Sequence, residues 1–331
     1  MDRIKIGIIG CGAVAEMYHL PALMSMPEFE IRYLVDISKD RAEFVKKRLK
    51  CDGEIDTDYN RLLQETDLDA VLILTPPKLH HRIAISAAKA RKHIFCEKPF
   101  AMNVKEAEEI IDCCNSNHVK LFVGFNFRFT PAFSKMKDLL DDGFFGKPIS
   151  AQSTLFANSL DWPSVSKFHL RSDEGGGALF EMGVHHIDLM NWLFGKADKV
   201  FAEIHNMKNL SIDDTASVLI NYQNGVNCMI NIGWNNVSLN TMTIVGSDGY
   251  ATAFANKPEI LYFRKNLIGQ DPIRIRVKRG VSSYHKELKE FYNYLTGRGN
   301  KNVSSEELIN SIKLVKSSYE SSRVDEFVKI T

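Results

Sequence analysis

The chain has 331 residues, 44% of them hydrophobic, and its 42 Lys+Arg against 41 Asp+Glu leave a formal net charge of +1; the length predicts two domains, and the balanced charge excludes a nucleic-acid footprint and implies a small-molecule partner. Six cysteines without a C-x-x-C pair or zinc-type Cys/His spacing argue against a metal site or a disulfide framework. No apolar stretch reaches the ~18–20 residues that span a bilayer, and the run after Met1 lacks a leader's h-region and cleavage site, so a cytoplasmic protein with no membrane partner is expected.

In chain order, residues 4–9 are an apolar β-branched run, followed by a Gly-rich turn and by Val14, Met17, Leu20 and Leu23 at helical spacing. Residues 31–35, 70–74, 93–96 and 121–125 predict four more strands, with helical patterns such as 83–90 and 107–114 between them. Alternating β and α elements imply a parallel sheet covered on both faces. Pro131 is placed to start a helix bridging two halves. Beyond it the rhythm changes to strands at 148–156, 200–205, 215–222, 226–234 and 240–245, with hairpin breaks at Gln223-Asn224-Gly225 and Ser247-Asp248-Gly249. One helix at 178–194 interrupts this half, and two at 283–295 and 305–321 close it. The expected fold is α/β: a dinucleotide-binding, doubly wound parallel sheet over residues 1–125, then an α+β domain over 126–331 with a large, open, mostly antiparallel sheet.

Gly10-Cys11-Gly12-Ala13-Val14-Ala15 is G-x-G-x-x-A between a strand and a helix, and Asp36 ends the next strand. Gly10 permits the tight turn, Gly12 lets backbone approach a pyrophosphate, Ala13 and Val14 open the helix whose free N–H groups face the phosphates, and Ala15 packs on the sheet. The Asp36 carboxylate can accept two ribose hydroxyls and repels a 2′-phosphate, which favours NAD over NADP. Thr75, Pro76 and His80 follow the next strand, Glu97 and Lys98 end the one after, and Asn126 follows the last. All sit where the carboxyl ends of parallel strands line a ligand crevice, and are expected at the cofactor. A lysine there can also polarise a substrate oxygen.

In the second half, Gly175-Gly176-Gly177 precedes a helix on which Glu181, His185 and Asp188 fall on one face at i, i+4 and i+7. A carboxylate beside an imidazole can orient and tune a general base, so Glu181 is expected to orient His185. Gly183 inside that helix costs about 1 kcal/mol relative to Ala, which makes sense where another group passes close by. Arg128, Trp162 and Arg171 flank these segments and are expected, with His185, at the substrate.

These residues resemble the glucose-fructose oxidoreductase, inositol dehydrogenase and MocA family. The resemblance rests on Gly10-x-Gly12 with His19-Leu20-Pro21-Ala22, on Glu97-Lys98-Pro99, on Arg128-Phe129-x-Pro131, on the triple glycine with Gly183-x-His185-x-x-Asp188, and on Gly246-Ser247-x-Gly249. It implies a Rossmann domain followed by an α+β domain whose open sheet is often used for oligomerisation. It also implies sugar, cyclitol or related polyol substrates, a cis peptide before Pro99, Lys98 as the active-site lysine and His185 as the acid/base. Such enzymes usually carry Asp four residues before the histidine, where Glu181 stands here.

The expected activity is hydride transfer between a nicotinamide and a carbohydrate-like hydroxyl or ketone, by an enzyme assembled as a homodimer or homotetramer. Two alternatives stand beside it: an NAD-dependent glycosidase of the same fold, and a dinucleotide-sensing protein without turnover, which would need no Lys98/His185 pair.

Overall fold

A computed structural model describes residues 3–164, 166–234, 237–265, 271–278 and 280–331. The first sheet contains β1 (Ile4–Ile9), β2 (Phe29–Val35), β3 (Glu54–Asp56), β4 (Ala70–Ile73), β5 (His93–Glu97) and β6 (Leu121–Gly124). Its strands are all parallel, in the order β3-β2-β1-β4-β5-β6. Helices cover both faces, which is why β4 is an uninterrupted buried Ala-Val-Leu-Ile run rather than an alternating one. The strand order reverses between β1 and β4, which opens a crevice at their carboxyl ends. The short, polar β3 was not anticipated: three residues carry no period to read.

The second sheet has nine strands in the order β14-β13-β12-β11-β7-β10-β9-β8-β15. These are β7 (Pro148–Ala157), β8 (Ala197–His205), β9 (Thr215–Tyr222), β10 (Asn227–Trp234), β11 (Leu239–Gly246), β12 (Gly249–Phe254), β13 (Glu259–Arg264), β14 (Ile273–Arg276) and β15 (Val328–Lys329). Neighbours are antiparallel except β7 and β10, which run parallel and make the sheet mixed. That pair is possible because helix Val184–Phe194 and the β8–β9 hairpin lie between the two strands in sequence and bring the chain back in the same direction. Alternate residues of β9 and β10 are buried, so one face of the sheet carries the core and the other is open.

The helix expected over 178–194 begins as a wide π-helical turn, Ala178–Gly183, and tightens into α-helix at Val184–Phe194. Gly183 is there for space: a Cβ would lie 2.8 Å from Leu179 and 3.4 Å from Ile232 of β10.

The helix Ser283–Leu295 belongs to the second half of the chain but does not pack there. Its Leu288, Phe291 and Tyr292 join Ile8, Leu34, Phe95 and Phe122 in one buried cluster on the first sheet. Each such side chain removed from water contributes about 1.5–3 kcal/mol. The last long helix, Ser305–Val324, opens with a reciprocal cap between Ser304 and Glu307 and lies against β8 and helix Val184–Phe194. Among the described residues no helix is long and apolar enough to cross a membrane, and no three His, Cys, Asp or Glu side chains gather as a metal site.

Candidate active site

The dinucleotide end is built from the turn after β1. Gly10 sits at φ +101°, and a Cβ there would lie 2.8 Å from the Leu74 carbonyl at the end of β4, so only glycine fits the switch point. Around Gly12 a Cβ would meet nothing within 4 Å, which leaves the turn open to a ligand. Ala13 and Val14 lead into the helical turn Ala15–His19. Asp36 is fixed by two backbone amides: Cys11 N–H donates to Oδ2 at 2.8 Å and Ser38 N–H to Oδ1 at 2.9 Å. Each oxygen keeps a second lone pair for a ribose hydroxyl.

Beside Asp36, Ile37 is 95% exposed, an apolar surface suited to a flat ring. Thr75 Oγ1 and Asn126 Oδ1, at the ends of β4 and β6, are buried without a protein partner, as groups awaiting a ligand would be. Pro76 starts the turn Pro77–Leu79 beside Thr75. These features fit a dinucleotide. Of the described cations nearby, Arg41 is held by Glu16 and the Cys11 carbonyl, and the exposed Lys39 lies 3.6 Å from Glu43. The expected result is a preference for NAD that Asp36→Ala narrows roughly 10-fold or more, measured as the ratio of NAD to NADP affinities. A wild type that binds NADP at least as well would contradict it.

At the chemical end, Lys98 follows β5 and its Nζ donates to Glu181 Oε1 at 2.8 Å and to the Glu181 carbonyl at 3.0 Å. The Lys98–Pro99 peptide is cis. His185 lies ring-on-ring against Phe127, centroids 4.2 Å apart, with Nδ1 buried and unpartnered. Burial, then the Lys98 charge, then His186 hold its imidazole well below the ordinary 6.5, so it is a free base at neutral pH. Lysine and histidine from the two halves of the chain thus share one site.

Several expectations need correction here. Glu181 does not orient His185: its carboxylate is taken by Lys98, because the wide turn Ala178–Gly183 departs from α-helical spacing and swings it off the imidazole's face. Asp188 is not in line with them either. It forms a buried bidentate pair with Arg128, Nε to Oδ2 at 2.8 Å and Nη2 to Oδ1 at 2.7 Å, and Arg128 also donates to the Asn302 carbonyl and to Glu307. Arg128, with every one of these bonds directed inward, is a structural anchor rather than the expected substrate contact. His80 is fully buried between the Pro99 and Thr75 carbonyls, 2.8 Å from each, and braces the crevice instead of lining it. Glu97 also turns inward: Oε1 accepts from His19 Nε2 at 2.5 Å and Oε2 from the Lys98 amide at 3.0 Å.

Trp162 is half-buried and lies parallel to Tyr18, centroids 6.1 Å apart, while Tyr284 stacks on Tyr18 at 4.6 Å. Arg171 is exposed and holds its own loop through Ser166 and Glu174. Tyr18 and Tyr284 escaped the sequence reading because lone tyrosines in two distant helices carry no local signal.

Glu287 escaped it as well. It is fully buried on helix Ser283–Leu295, and neither carboxylate oxygen has a partner. Burial, then the charges of Glu97 and Asp188, hold its carboxyl well above the ordinary 4.5. The folded chain therefore keeps a proton that the unfolded chain releases above that value, and stability falls as pH rises toward the folded pKa. Glu287→Gln removes this loss and is expected to gain about 1–3 kcal/mol over wild type at pH 8, and less at pH 5, in urea unfolding at both. Equal gains at the two pH values would show that ionisation is not the cause.

A parallel sheet in this order, a dinucleotide cradle at its switch point and a lysine and histidine at its mouth define a two-sheet, nicotinamide-dependent oxidoreductase. The chain belongs to the GFO/IDH/MocA family. Residues 4–125 match the model of the oxidoreductase family with NAD-binding Rossmann fold, and residues 133–252 match the GFO/IDH/MocA C-terminal domain. NAD is its cofactor. Relatives include a dTDP-3,4-didehydro-2,6-dideoxy-alpha-D-glucose 3-reductase of Actinomadura kijaniata, 30% identical over 252 residues, with 75% of this chain and 74% of that protein covered. A myo-inositol 2-dehydrogenase of Thermotoga maritima is 29% identical over 228 residues, with 67% and 66% covered. A levoglucosan dehydrogenase solved with NADH and L-sorbose shares the fold, with TM-score 0.90, 21% identity and 99% of each chain covered.

Proposed function

We propose that this chain is a dehydrogenase that interconverts a secondary hydroxyl and a ketone on a sugar, cyclitol or nucleotide sugar. The observation that carries it is that Lys98, bonded to Glu181 beyond the end of β5, lies near enough to the buried His185 for its charge to oppose protonation of the imidazole. When bound, NAD supplies the hydride acceptor. His185 takes the hydroxyl proton, which its unprotonated state at neutral pH allows. Lys98 donates to the same oxygen and stabilises the charge that develops on it, while Glu181 holds the ammonium in place and balances its charge. Reduction uses the same groups in reverse. The cyclitol and nucleotide-sugar chemistry in the names of the relatives supports the substrate class.

The test is a screen of cyclitols, aldoses and nucleotide sugars read as NADH absorbance. Formation or consumption of NADH with one class supports the reading. Cleavage of an aryl glycoside with no net NADH change would replace it with the glycosidase, and NAD affinity without turnover would replace it with a sensing role.

We further infer a homodimer or homotetramer built on the open face of the second sheet. Leu219 and Met229 stand exposed there with Phe327 beside β15, an apolar area that a second copy would cover. A strictly monomeric mass at micromolar concentration, by light scattering, would exclude it.

A further inference from the structure

Two stretches far apart in sequence, His19-Leu20-Pro21-Ala22 and Glu97-Lys98-Pro99, meet inside the protein in a contact that neither cofactor binding nor proton transfer requires. His19 is fully buried in the helical turn after the glycine loop, and its Nε2 donates to Glu97 Oε1 at 2.5 Å. The other oxygen of the same carboxylate accepts the Lys98 amide at 3.0 Å. On one side the carboxylate lies against Gly124 of β6, where a Cβ would sit 3.1 Å from its carbon. Tyr284, from helix Ser283–Leu295, closes over the His19 ring edge-on, centroids 5.1 Å apart, and Phe95 packs on it at 5.2 Å. At the far end of the turn the Pro99 carbonyl is held by His80. The residue carrying the ammonium is thus gripped on both sides by groups in the protein interior, and slack at one side would pass straight to Lys98.

We propose that His19 and Glu97 form a positioning couple that sets the place of the Lys98 side chain; the inference rests on the reading of Lys98 as the residue that touches substrate. A bare hydrophobic residue at 19 would fill the space as well as imidazole does, but could not donate to Glu97. The carboxylate would then be buried with one oxygen unpaired, and it would turn away from the Lys98 amide to find another donor. Misplacing a catalytic group by about 1 Å costs on the order of 10²-fold in rate.

The test compares His19→Ala, His19→Gln and Glu97→Gln in the full-length protein by two readouts. One is kcat against KM for NAD with the polyol found in the screen. The other is the rate at which acetic anhydride labels Lys98, read by peptide mass spectrometry with Lys147 as internal standard. His19→Ala is expected to lower kcat about 10–100-fold with KM for NAD within roughly 3-fold, and to speed Lys98 labelling at least about 3-fold as the amine leaves Glu181. His19→Gln, whose amide can donate to the same oxygen, is expected to recover most of both. Wild-type labelling and kcat in folded His19→Ala, or a His19→Gln as impaired as alanine, would overturn the proposal. Should His19→Ala not fold, Glu97→Gln decides by the same two readouts, since it replaces one of the two accepting oxygens by a donor; lower kcat and faster labelling are expected, and wild-type values of both would overturn the proposal. Should no polyol be oxidised at all, the functional reading falls while the labelling rates still judge the couple.

Discussion

Alanine at Lys98 or at His185 is expected to lower kcat about 10²–10⁴-fold, the range of a positioned acid/base group, with NAD affinity little changed. The reason is location: Lys98 follows β5 and reaches Glu181 on the turn before His185, while the glycine turn and Asp36, the proposed hold on the dinucleotide, follow β1 and β2. Rates under saturating substrate and NAD affinity by fluorescence quenching separate the two effects. Because the imidazole is held well below 6.5, the acid limb of the oxidation rate lies below that value in wild type. Lys98→Met removes a charge that opposes protonation of His185, so the limb should move upward in pH, the residual rate permitting its measurement. A His185→Ala variant with near-normal kcat would make lysine the base and remove the histidine from the mechanism.

The second large effect is on stability. Arg128 and Asp188 are 4% and 1% exposed, joined by two parallel hydrogen bonds, with Trp192 beneath the guanidinium at 5.5 Å. Through Asn302 and Glu307 the same guanidinium holds the start of helix Ser305–Val324. Asp188→Ala leaves a buried cation without its main counter-charge, and about 3–5 kcal/mol of folding stability should be lost. Replacing both partners by apolar residues of similar volume should cost much less, since no charge is then stranded. Urea unfolding of single and double variants measures this. A loss under about 1 kcal/mol for Asp188→Ala would mean that Glu307 alone satisfies Arg128.

The parts of the site legible in the sequence are those with local rules. The glycine turn, Asp36 at the end of a strand and Lys98 at the end of another follow from strand-end geometry in a parallel sheet. Partnerships were harder to read. Asp188 finds Arg128 60 residues away and His19 finds Glu97 78 residues away, distances at which a single sequence carries no pairing signal. Glu181 was misread for a local reason: i, i+4 arithmetic assumes an α-helix, and the turn that carries it is wider. In the second sheet β7 to β11 were visible by alternation, but β15 has two residues and β14 four, and β12 is broken by Gly249 and Thr252; β13, with Ile260-Leu261-Tyr262-Phe263, carried a readable run that escaped the sequence reading.

The helix Ser283–Leu295 has a consequence for how the molecule is made. Phe29 of β2 stacks on Phe291 at 6.4 Å, so the nucleotide sheet completes one of its faces only with residues from near the other end of the chain. During synthesis, which proceeds at about 5–20 residues per second, that sheet waits some tens of seconds with its aromatic face uncovered. A nascent chain halted before this helix emerges would present Phe95 and Phe122 to solvent, a surface that chaperones hold and that proteases and aggregates find first.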